Sequence, residues 1–164
     1  MNRVYKITFI SIIIVYLVIL AGGIVRMTGS GMGCPDWPKC FGFLIPPTEI
    51  SQLEWKPNSE YNKNQIIIID KNLYYSVKSF NSKEDFNRSN WNKYTKHDYS
   101  KFNVYHTWIE YINRLIGALA GLSVLMLFLY SMKFFKSKKI ITFLSFLSLI
   151  AILFQAWLGK IVVD

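Results

Sequence analysis

The sequence predicts an all-α integral membrane protein: three membrane-spanning helices and one long outer loop that contains a short β hairpin. Three observations predict it. Of the 164 residues, 52% are hydrophobic and 16% aromatic, yet the net charge is +9; such a chain must segregate its apolar and charged residues. The apolar residues are bunched into stretches at about 7–25, 108–135 and 140–163, lengths that approach or exceed the ~20 residues a spanning helix needs. Lysines and arginines gather beside particular ends of these stretches. That placement, with the remaining basic residues mixed among acids in the loop, argues against nucleic acid as a partner.

The first stretch follows Arg3 and Lys6, and the second and third are joined by a short connection carrying Lys133, Lys136, Lys138 and Lys139. By the positive-inside rule both regions face the cytoplasm. The amino terminus is then cytoplasmic and residues of about 26–107 lie on the outer face of a bacterial-type cell membrane. A cleaved signal peptide is the competing reading of the first stretch, which is basic at its start and ends in Ala21-Gly22-Gly23. Its apolar length is long for a signal core, and no clean small-x-small cleavage site precedes Arg26.

Within the outer loop, Gln65 to Asp70 is a short β-branched run that predicts one strand, with Tyr74 to Val77 as its partner. Phe80 to Phe102 is rich in Asn, Lys, Ser and aromatic residues. Trp55, Tyr61, Tyr74, Tyr75, Phe80, Phe86, Trp91, Tyr94, Tyr99 and Phe102 predict a small packed cap, against the alternative of anchoring in the headgroup layer. His97 reads as a solvated loop residue.

Cys34 and Cys40 are the only cysteines. On an oxidising face they predict a disulfide, which the intervening Pro35 and Pro38 favour by restricting the turn. A passive staple and a redox-active pair that exchanges with a thiol partner both fit. Two cysteines with no neighbouring histidine fall short of a zinc site.

In the second stretch Glu110 and Arg114 are four apart and share a helix face. An ionisable pair at membrane depth is a functional-site hypothesis, with a snorkelling salt bridge as the bland alternative. His106 lies one turn before Glu110. Gly117 and Gly121 are spaced to admit either a neighbouring helix or a flat ligand such as a porphyrin. The third stretch closes a helix hairpin with the second, and the sequence stops just after it at Asp164. A natural terminus and a chain interrupted in mid-architecture both fit that ending.

Gly22-Gly23-Ile24-Val25-Arg26, followed by Thr28-Gly29-Ser30-Gly31 and Cys34-Pro35-Asp36-Trp37-Pro38-Lys39-Cys40, resembles the first helix end and first outer loop of the heme A synthase family. The similarity continues through Glu110-Tyr111-Ile112-Asn113-Arg114 and Gln155-Ala156-Trp157-Leu158-Gly159-Lys160, and so covers essentially the whole chain. The resemblance implies an eight-helix bundle in two four-helix halves, of which residues 1–164 form a partial membrane domain holding the first three helices. It also implies oxidation of a heme O methyl group to formyl, with heme O as substrate. A heme b cofactor in the second half would pass electrons, and ligand histidines would stand on the fourth and eighth helices.

The family carries a Glu-x-x-His-Arg motif on this helix. Residue by residue, the resemblance makes Glu110 and Arg114 the catalytic candidates, while Asn113 stands where the family has its ligand histidine. An amide is a poor iron ligand, so His106 becomes a candidate for the heme iron, beside the blander roles of capping the helix, pairing with Glu110 or contacting a propionate. His106, Asn113, Gly117 and Gly121 are the heme-binding candidates. Partners implied are membrane lipid, a heme O synthase, an electron donor and further copies of the chain. Two other functions stay open: a non-catalytic membrane heme-binding or oxidase-assembly protein, and a membrane thiol-disulfide oxidoreductase.

Overall fold

A computed structural model describes residues 2–70, 72–95 and 102–163. The chain divides into two compact units. One gathers the residues up to Gly29 with Ile112–Val162; the other is built on Ser30–Tyr111.

In the helical unit, α1 (Asn2–Thr28) has 27 residues, about 40 Å at the standard rise against the ~30 Å hydrocarbon core of a bilayer. Phe9, Ile12, Tyr16, Ile19 and Leu20 are exposed along one face, and Ile7, Ile14, Val15 and Val18 make the opposite face apolar as well. A helix apolar on all sides has no face to give to water. Gly29 ends it at φ 67°, a left-handed position that suits glycine, with its N–H donating back to the Arg26 carbonyl.

The second helix, α2 (Val104–Ser131), opens ahead of the apolar stretch read from Trp108. Its first turn is polar but well capped: Asn103 Oδ1 accepts the N–H of Tyr105 at 3.0 Å and of His106 at 3.4 Å. A short 3₁₀ turn at Met132–Phe134 leads to α3 (Lys139–Val163). The hairpin between α2 and α3 is held by Thr142, whose hydroxyl donates to the Ser131 carbonyl at 2.9 Å. Further up, the Phe128 and Phe146 rings meet at 5.6 Å. The three helices are long and apolar enough to cross a membrane, and the chain is a multi-pass membrane protein.

The other unit is built on an antiparallel sheet of β2 (Ile66–Ile69), β3 (Asn72–Ser76) and β5 (Trp91–Lys93) in the order β2-β3-β5. The expected hairpin is present, with Ile66 opposite Tyr75 and Ile69 opposite Asn72. The third strand was not expected. Nor was the two-stranded ribbon of β1 (Glu60–Tyr61) and β4 (Phe80–Asn81).

Because side chains alternate along a strand, the isoleucine run serves two cores. Ile66 and Ile68 pack with Cys34, Cys40, Phe41, Leu53 and Leu73, while Ile67 and Ile69 pack with Tyr61, Trp91, Tyr74 and Phe80. The second cluster is aromatic, with Trp91 meeting Tyr61 edge-on at 5.0 Å and Phe80 at 5.5 Å. Trp55, Tyr61, Tyr74, Tyr75, Phe80, Trp91, Tyr94 and Phe102 thus belong to or pack against these cores, whereas Phe86 is exposed, with its ring stacked on Trp91, and Tyr99 lies outside the described residues.

Candidate functional site

The Cys34 to Phe43 segment folds back on itself. Cys34 and Cys40 are joined by a disulfide with Cα atoms 4.8 Å apart, and both are fully buried. Cys40 and Phe43 exchange backbone hydrogen bonds at 2.9 and 3.1 Å, with Phe41 and Gly42 between them at φ 56° and 80°. Positive φ at both central residues is the signature of a tight hairpin turn.

Such a conformation is costly for a phenylalanine. Phe41 is held there because its ring is buried against Phe102, edge-on at 5.4 Å, and its carbonyl accepts the Ile66 N–H at 3.2 Å. Gly42 must be glycine, since a Cβ would run into the backbone of Asn64 and Gln65. Asp36 Oδ2 accepts the Gly42 N–H at 2.8 Å, and the Tyr94 hydroxyl donates to the Pro35 carbonyl at 2.8 Å.

This segment is fastened to the first turns of α2. Gly33 approaches so closely that a Cβ would collide with the backbone of His106 and Thr107. The Thr107 hydroxyl donates to the Gly33 carbonyl at 2.8 Å, and the Cys34 N–H donates to Glu110 Oε2 at 2.8 Å. Glu110 is 5% exposed. A carboxylate buried to this degree must be hydrogen-bonded to be tolerated, and the disulfide loop supplies a donor.

His106 sits on the first turn of α2, half-buried, with its main chain against Gly33. Thr107, fully buried, is absent from the sequence reading. Its place three residues before Glu110, on the same helix face, is the signal that would have found it. His97 lies outside the described residues.

The remaining candidates belong to the helical unit. Asn113 and Arg114 are half-buried, and Asn113 Oδ1 is buried without a hydrogen-bond partner. Gly121 faces α3, with Ile152 3.7 Å from where a Cβ would stand, whereas a Cβ at Gly117 would meet open space. The two glycines therefore differ: one is used for helix packing and the other is not. Among the described residues, no group of three or more His, Cys, Asp or Glu side chains is placed to hold a metal ion.

Away from the disulfide, Tyr61 closes the aromatic core. Its hydroxyl accepts the Lys56 N–H at 2.7 Å. Burial pushes the phenol above its ordinary value, and the bond to the Lys56 backbone offsets part of that rise.

A family model described as cytochrome oxidase assembly protein matches residues 5–83 and 80–164. A heme A synthase of Ehrlichia canis (strain Jake) is 30% identical over 91% of this chain and 35% of its own length. One from Orientia tsutsugamushi (strain Ikeda) is 31% identical over 73% of this chain and 26% of its own. A heme A synthase of Shewanella oneidensis is 43% identical over a shorter segment, 27% of this chain and 13% of its own length. The chain thus spans about a third or less of the curated relatives it matches. No solved structure matches it. With the family model covering nearly every residue, the chain belongs to the heme A synthase family of cytochrome oxidase assembly proteins.

Proposed function

We propose that this chain is a partial membrane domain of an enzyme of heme A biosynthesis, and that the enzyme oxidises a methyl group of heme O to a formyl group. The observation that carries the reading is Glu110, buried on a helix long enough to span a membrane and held by the Cys34 N–H. Converting a methyl to a formyl group, with water as the oxygen source, releases protons and passes electrons to an acceptor outside this chain, building positive charge beside the ring as they leave. A fixed carboxylate accepts the protons or stabilises the charge. Arg114, one turn further along α2, orients the substrate through a propionate, and the open space at Gly117 admits the flat face of the porphyrin.

The described residues do not fit a heme b site with two axial imidazoles. His106 is the only histidine among them, and Asn113 presents an amide whose buried oxygen has no partner. This chain's contribution is therefore the carboxylate and the arginine. The same asparagine favours a second reading, in which the protein binds heme for oxidase assembly without oxidising it. A thiol-disulfide oxidoreductase is disfavoured, because exchange needs an accessible sulfur and both cysteines are fully buried.

We place Arg3, Lys6 and the lysines of the α2–α3 connection in the cytoplasm and the Ser30–Tyr111 unit on the outer face. The charge distribution supports this orientation, and so does the disulfide, which persists in oxidising compartments. The function is tested by supplying heme O to membranes that hold the full-length enzyme and following the heme by mass spectrometry. Conversion to heme A is expected. Stable binding of unaltered heme O would move the assembly reading to the front.

A further inference from the structure

We infer that Thr107 is a positioning residue for Glu110, acting through Gly33 and Cys34. This rests on the reading of Glu110 given above. Threonine hydroxyls inside helices ordinarily bond back to a carbonyl of their own helix. Thr107 instead donates across the chain to the Gly33 carbonyl at 2.8 Å, from a position with no solvent exposure.

That bond is reachable because residue 33 lacks a Cβ. The backbone of Gly33 lies directly against His106 and Thr107, with the Thr107 nitrogen 2.8 Å from where a Cβ would be. The next N–H along the chain, that of Cys34, is the one that meets Glu110 Oε2 at 2.8 Å. Thr107 and Glu110 are three residues apart on α2, Gly33 and Cys34 are adjacent, and the two hydrogen bonds form a ladder between the segments. On its far side Cys34 is tied to Cys40 by the disulfide, so the strip cannot swing away. Loss of the Thr107 rung lets the Gly33–Cys34 peptide tilt within the strip, and the Cys34 N–H no longer meets Glu110 Oε2 in one fixed direction. The bond to Cys34 helps hold one carboxylate oxygen in place, and a fixed direction is what a proton acceptor needs to meet a bound ring in one geometry.

The test uses the full-length enzyme in membranes, with Thr107→Val and Thr107→Ser compared to the unsubstituted protein. Carbonyl-¹³C glycine with ¹⁵N cysteine selects Gly-Cys amides, of which Gly33-Cys34 is the one within these 164 residues, and its absence from the spectrum of Cys34→Ser assigns it. Its proton resonates downfield while bound to the Glu110 carboxylate, as the upfield change in Glu110→Gln calibrates. In Thr107→Val the amide is expected to move toward the Glu110→Gln position, and kcat on heme O to fall about fivefold to tenfold, the worth of one hydrogen bond, with KM unchanged. Thr107→Ser, which keeps the donor, restores both.

A Cys34 amide unmoved in Thr107→Val overturns the inference, and so does a kcat equal to that of the unsubstituted enzyme. A general structural defect would instead lower folded protein and raise KM in both variants, which also contradicts it. If the unsubstituted enzyme shows no turnover on heme O, the proposed function fails; the amide then decides the inference alone, a response to valine and not to serine upholding the positioning of Glu110.

Discussion

At the scale of single residues, the site depends on backbone approach as much as on side-chain chemistry. Gly33 and Gly117 make the contrast. A Cβ at Gly33 meets backbone on the neighbouring helix, which cannot move aside as a flexible side chain would. Gly33→Ala is expected to destabilise the loop unit by about 1–3 kcal/mol, read as a lower midpoint in thermal unfolding. At Gly117 a Cβ meets nothing, so Gly117→Ala leaves that midpoint in place. If the space takes the porphyrin, the same variant weakens heme O binding several-fold in an optical titration.

Tyr61 gives a pH dependence whose sign follows from its environment. Its phenol is raised in the folded protein by burial, so above the ordinary tyrosine value of about 10 the unfolded chain loses its proton first. The folded state then binds more protons than the unfolded one, and stability falls as pH rises. The contribution is fully present below about pH 10 and is lost through the folded value. Trp91, 5.0 Å from the Tyr61 ring, reports the loop by its fluorescence. In Tyr61→Phe the alkaline loss should shrink, while stability at neutral pH drops by about 1 kcal/mol for the missing hydrogen bond to Lys56.

At the scale of elements, the disulfide turn and the first turns of α2 behave as one piece. Replacing both cysteines by serine removes a short loop constraint worth about 2 kcal/mol in the chain-entropy account. Because both residues are fully buried, a water-soluble reductant is expected to leave the bond intact in the native protein and to cleave it only in denaturant. Rapid reduction of the native protein would contradict the burial.

Much of the element structure could be read in advance, for identifiable reasons. The apolar runs dictate the three helices, and the β-branched run at 66–69 with its partner dictates the hairpin. The strand at Trp91–Lys93 was hidden because it carries one buried residue and two exposed ones, a pattern too short to show a period. The ribbon of β1 and β4 has two residues on each side and is defined only by pairing across the chain. At the site, Glu110 stood out as a carboxylate in an apolar helix. Its donor did not, since Cys34 is 76 residues away and a backbone N–H leaves no mark on composition. Thr107 was overlooked because a threonine in a helix is unremarkable until its hydroxyl is seen to leave it.

At the scale of the whole molecule, the distribution of lysine and the presence of a disulfide support the same orientation. Single cysteines introduced at Lys136 and at Asn58, in a background with Cys34 and Cys40 left paired, should react with an impermeant maleimide from opposite sides. Asn58 is expected to label in intact cells and Lys136 only after lysis. The reverse pattern would place the loop unit in the cytoplasm, where the disulfide would have to survive a reducing environment.

The carboxylate that the disulfide loop holds on α2 carries the proposed chemistry, and Glu110→Gln tests it most directly. The amide has nearly the same shape but cannot take a proton or balance a positive charge. In the full-length enzyme supplied with heme O, the rate of heme A formation is expected to fall at least about 100-fold while heme O binding is retained. Heme A formation at the unsubstituted rate in Glu110→Gln would contradict the account.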